Sequence, residues 1–101
     1  MVTVRIEHPV KDFTLWKAAF DRDPADRQGS GVERYAIQVG SDAPNDVSID
    51  LDFANVAAAE AFLVTMRGIW GSPPATAALA GAPSARILVD IERREVAPAG
   101  A

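Results

Sequence analysis

A chain of 101 residues, 49% hydrophobic and 24% charged, has the composition of one folded domain and no room for a second. Ten Lys and Arg against fourteen Asp and Glu leave a net charge of −4, which argues against a phosphate-neutralising nucleic-acid binder and against attachment to an anionic membrane. The absence of cysteine excludes disulfides, thiolate metal ligands and a cysteine nucleophile. Charges at Arg5, Glu7 and Lys11 interrupt the N-terminus before an apolar export segment can form, so cytoplasm is the expected location.

Val2, Val4 and Ile6 alternate with Thr3, Arg5 and Glu7, the period of a first strand that carries His8 on its apolar parity and ends at Pro9. Asp12 is placed to cap the helix that follows, where Phe13, Trp16, Ala19 and Phe20 form one stripe. Pro24 stops that helix, Asp23 is placed to cap a further turn through Arg27, and Gly29, Ser30 and Gly31 provide the exit. A second strand is expected over about 32–39, with Tyr35, Ile37 and Val39 on one face. A turn from Gly40 to Pro44 then leads into a third strand, Asn45 to Phe53, whose alternation is unbroken. In it Val47, Ile49, Leu51 and Phe53 point one way and Asp46, Ser48, Asp50 and Asp52 the other. The hairpin centres near Ala43, which sets Arg34 opposite Asp52 and Tyr35 opposite Leu51.

Asn55 caps a second helix with Ala59, Phe62, Leu63 and Met66 at helical spacing, and Gly68 is expected to close it, leaving Trp70 in a glycine-flanked loop. Ser72 and Pro73 read as the start of a short third helix ending near Gly81. The last strand places Ala85, Ile87, Val89 and Ile91 on one face and Arg86, Leu88, Asp90 and Glu92 on the other. The domain spans 1–95, with 96–101 a frayed tail.

Strand, helix, strand, strand, helix, strand folds as a ferredoxin-like α+β domain: an antiparallel sheet of order 4-1-3-2 with the helices on one face. The other face then collects Arg5, Glu7, Arg34, Gln38, Asp50, Asp52, Asp90 and Glu92, with Arg5 between the strands of Asp50 and Asp90. Cross-strand ion pairing on a dimer-facing sheet accounts for this set, and a paired-carboxylate acid/base site is the alternative.

The chain resembles the dimeric α/β-barrel superfamily, which includes antibiotic-biosynthesis-monooxygenase-like domains, small polyketide cyclases and haem-degrading monooxygenases. H-P-V-x-D-F-x-x-W-K-x-x-F from His8 to Phe20, the P-N-D-V turn at Pro44 to Val47 and A-x-x-F-L from Ala59 to Leu63 carry the likeness. It implies a homodimer with facing sheets and a pocket between sheet and helices. The Asn, Trp and His set of the haem-degrading members is not matched, since the first strand has no Asn and His8 is the only histidine.

His8 is the candidate general acid or base, expected at the rim of such a pocket, or else a structural rim residue. Trp16, Tyr35, Phe62, Met66 and Trp70 are the candidate substrate-binding side chains, although aromatics at helical spacing also serve as ordinary core. Two functions follow: a cofactor-independent monooxygenase-like or cyclase-like enzyme acting on an apolar aromatic or polyketide-like compound, or a non-catalytic ligand-binding or structural dimer. No cofactor or metal is expected. An open cavity reaching both His8 and Trp70 favours the first; a space filled by Trp16, Phe62 and Met66 favours the second.

Overall fold

A computed structural model describes residues 1–100 of the chain. Its elements run β1 (Val2–Pro9), α1 (Phe13–Asp21), β2 (Arg34–Gly40), β3 (Ala43–Phe53), α2 (Val56–Trp70), α3 (Pro73–Ala78) and β4 (Ser84–Val89). The four strands form one antiparallel sheet in the order β2-β3-β1-β4, the ferredoxin-like arrangement, with β1 and β3 central. Central position is where strict alternation is required, because a one-residue slip would turn an entire apolar face outwards. Arg34 pairs with Asp52 and Tyr35 with Leu51, the register expected from the hairpin. No helix among the described residues is long and apolar enough to cross a membrane.

Val4, Ile6, Leu51 and Phe53 are fully buried beneath the helices, with Trp16 from α1 and Ala59, Phe62 and Leu63 from α2 packed over them. Both long helices begin on a side-chain cap. Asp12 accepts from the Leu15 amide at 3.0 Å and Asn55 from the Ala58 amide at 2.9 Å, which satisfies donors that the helix itself leaves open.

The bends after α1 are also held by carboxylates. Asp23 accepts from the Arg27 amide at 2.9 Å and Asp26 from the Gly29 amide at 3.1 Å, and both aspartates adopt positive φ, which short polar side chains tolerate. A Cβ at Gly29 would meet the Asp26 carboxylate and push it out of its bond with the Gly29 amide.

Four expectations are corrected. β3 begins at Ala43 rather than Asn45, so the hairpin turn is shorter than the Gly40 to Pro44 segment. Gly68 does not end α2: the helix continues to Trp70 and is capped by Gly71, because Ile69 and Trp70 still have core to cover. β4 stops at Val89, leaving Ile91 at 95% exposure instead of on the buried face. Asp90 lies just past β4, its amide donating to Met1 O at 3.1 Å and its carboxylate accepting from Arg93 Nε at 2.9 Å, and the β4 residue opposite Arg5 is Arg86.

Candidate functional site

The apolar layer between sheet and helices is unevenly filled. At one end Phe53, fully buried, packs against Phe62 with ring centroids 5.2 Å apart. On the other side of Phe62 lies a cavity of about 550 Å³. Ile6, Ile49 and Leu51 of the central strands form its floor, α1 contributes Trp16 and Phe20, and α2 contributes Phe62, Met66 and Trp70. The α3 segment closes the end nearest His8: Lys11 donates its amide to Ala78 O at 3.1 Å, Ala80 donates to Pro9 O at 3.1 Å, and Val10 bridges Leu79. A few hundred cubic ångströms of largely apolar, preformed space is the usual form of a small-molecule site.

His8 enters this cavity because strand alternation directs it under the helices, opposite Val47 on β3. It is only 5% exposed, so the expectation of a rim residue is corrected: α1 and α3 bracket the strand end and bury it. The Trp16 ring stands edge-on to the imidazole at 5.4 Å. Nδ1 is buried and has no hydrogen-bond partner among the described residues. A buried polar atom that goes without a partner costs about 1 to 3 kcal/mol, so a bound group able to pair with Nδ1 would gain from doing so. Burial also lowers the pKa of His8 from its ordinary value, so the ring is neutral at neutral pH, with one nitrogen able to accept and the other to donate.

Of the residues singled out by sequence, the cavity brings together His8, Trp16, Phe62, Met66 and Trp70. Trp70 does so from the last position of α2, not from a loop. Tyr35 stands outside the lining and is 46% exposed; its ring meets Phe20 at 5.3 Å on the far side of α1. Strand parity turns Tyr35 towards the helices, but β2 is an edge strand that the helices only partly cover. Arg22 and Arg27, from α1's C-terminal end and the loop after it, also line the cavity. Nothing in the periodicity of that loop marks them, and only the Asp23-to-Arg27 cap hinted that the segment is ordered.

The opposite face of the sheet has its own polar order. Arg5 grips Asp50 through Nε at 2.8 Å and Nη2 at 3.0 Å, and Asp52 accepts from Thr3 Oγ1 at 2.8 Å and from Arg34 Nε at 3.3 Å. The pairing accounts for Asp50 and Asp52 as structural carboxylates. Arg86 faces Arg5 and has no ion-pair partner among the described residues.

No protein-family model and no curated protein sequence matches the chain. Solved structures do. SnoaB from Streptomyces nogalater, described as a cofactor-independent oxygenase, is 15% identical, superimposes with a TM-score of 0.69, and the match covers 96% of each chain. An antibiotic biosynthesis monooxygenase is 12% identical at TM-score 0.59, over 91% of this chain and all of the other. A dimeric ferredoxin-like protein from an uncultured marine organism is 10% identical at TM-score 0.62, over 92% of this chain and 97% of the other. At these identities the likeness is one of fold, and the fold is that of the antibiotic-biosynthesis-monooxygenase-like structures.

Proposed function

We propose that the chain is a homodimeric, small-molecule-binding domain that acts as a cofactor-independent oxygenase on an apolar aromatic or polyketide-like compound held between sheet and helices. The observation that carries this reading is the neutral imidazole of His8, its Nδ1 without a partner among the described residues, in the wall of a largely apolar cavity. The fold shared with SnoaB lends support.

The chemistry asks little of the protein. A ring methylene conjugated with a ring carbonyl, so that its conjugate base is the phenolate of a fused aromatic system, is acidic enough for a positioned imidazole to take its proton. The resulting carbanion or phenolate is itself the electron donor to dioxygen, and the methylene plus O2 becomes a carbonyl plus water with no further reductant. The apolar walls supply the fused rings with a surface, keep water from the anion and leave space for O2. A cyclase-like reaction begins with the same deprotonation but sends the carbanion to a carbonyl of the same molecule. Oxygen uptake separates the two. Chelator-treated protein supplied with a three-ring compound bearing such a methylene is expected to consume one O2 per molecule oxidised. Ring closure without oxygen uptake would favour the cyclase, and tight binding without turnover would favour the non-catalytic dimer.

The dimer is proposed through the outer sheet face. A second copy would complement the unmatched charge of Arg86 beside Arg5 there, and a dimeric relative in fold is known. Sedimentation at micromolar concentration is expected to give a dimer, and Arg5→Ala, which strips the counter-ion from Asp50, is expected to shift it towards monomer. A wild-type protein that sediments only as monomer would contradict this.

A further inference from the structure

The cavity is lined by two arginines and by no aspartate or glutamate, in a chain whose net charge is −4. Both arginines come from the segment that follows α1. Arg22, the residue that ends the helix, is exposed and makes no ion pair or side-chain hydrogen bond among the described residues. Arg27 is fixed in place. Its guanidinium lies 4.1 Å above the Phe20 ring and 5.0 Å from that of Tyr35, and its Nη1 donates to Phe20 O at 2.8 Å and reaches Asp23 at 3.4 Å. The neighbouring carboxylates are already occupied: Asp21 by Lys17 at 2.7 Å, Asp23 by Arg27 and its amide, Asp26 by the Gly29 amide. Arg22 is therefore an exposed, unpaired positive charge in the cavity lining, and Arg27 is the second cation of that lining.

The two ends of the site are linked by a row of neighbouring planar groups. From His8 to Trp16 is 5.4 Å, from Trp16 to Phe20 is 5.3 Å, and from Phe20 to the Arg27 guanidinium is 4.1 Å. A fused-ring molecule lying along this row would present one end to His8 and the other to the arginines.

Building on the cavity reading above, we infer that the ligand class is an aromatic carboxylic acid, with its ring system in the apolar slot and its carboxylate at Arg22 and Arg27. A guanidinium fork matches a carboxylate geometrically, and its planar face tolerates the aromatic ring next to it. The arginines then act as positioning groups. They fix which carbon of the ring system meets His8.

The test compares anthracene-2-carboxylate with the neutral anthracene-2-carboxamide, read by quenching of Trp16 and Trp70 fluorescence. The carboxylate is expected to bind about tenfold more tightly, a preference that shrinks as salt rises. Arg22→Gln should reduce the preference several-fold, weakening the carboxylate more than the amide, and the Arg22→Gln, Arg27→Gln pair should abolish it. Because Arg27 also holds Phe20 O, Arg22→Glu provides a variant that does not disturb the loop, and it is expected to invert the preference. Equal binding of the two probes to wild type, or a preference that survives Arg22→Glu, would overturn this inference while leaving the cavity reading intact. Failure of both probes to bind would overturn both.

Discussion

His8→Gln is expected to lower turnover by ~10² or more while leaving a folded dimer. Glutamine approximates the reach of imidazole but cannot accept a proton, and the bond count at Nδ1 does not change because Nδ1 makes no bond to lose. Two pH dependences follow from the burial that lowers the pKa of His8. The unfolded chain takes up a proton as pH falls through about 6.5, whereas the folded chain does so only at lower pH. Stability is therefore level above that range, declines as pH falls below it, and levels again once the folded imidazole is also protonated. Turnover, which needs the neutral ring, should persist below the ordinary histidine range and fail as the depressed value is crossed. Urea titrations between pH 5 and 8 on wild type and His8→Gln would show the slope in the first and its loss in the second. Unchanged turnover in the variant would make the histidine structural.

Trp16→Ala is expected to cost about 3 to 5 kcal/mol, the range for removing a large aromatic from a core. Trp16 is 7% exposed, touches Phe13, His8 and Phe20, and holds α1 on the sheet. Trp70 is half-buried at the last position of α2, so Trp70→Ala should cost roughly 1 to 2 kcal/mol, with its main effect on ligand affinity. Urea midpoints for the two variants, with fluorescence titration of an aromatic probe, would separate them. Equal destabilisation would make Trp70 as much a part of the packed core as Trp16.

The sheet is legible because its information is local and repeated. The alternation of β3 admits one buried face, and the hairpin then has only even register slips available, which is why Arg34 and Asp52 could be paired from the sequence. The caps at Asp12 and Asn55 are equally local. What escaped has tertiary causes. An exposed glycine at 68 costs about 1 kcal/mol within a helix, and only the burial gained by Ile69 and Trp70 beyond it makes continuation favourable. Arg5 was set between the strands of Asp50 and Asp90, but the register of β4 against β1 puts Arg86 opposite Arg5, and alternation alone does not fix that register. The cavity itself is a place where side chains stop short of each other. Periodicity says which side chains point inward and nothing about whether they meet, so aromatic stripes from α1 and α2 read alike as core or as pocket wall. The same limit hid the two arginines.

The central claim is that an aromatic ligand occupies this cavity with an ionisable or activated atom at His8. A crystal structure of the protein soaked with a fused-ring phenol tests it most directly. Ring density is expected between the Ile6, Ile49 and Leu51 floor and the Trp16 and Trp70 walls, with an oxygen or activated carbon within about 2.6 to 3.2 Å of a His8 ring nitrogen. A crystal in which Trp16 and Met66 fill the space, with the ligand elsewhere or absent, would contradict it.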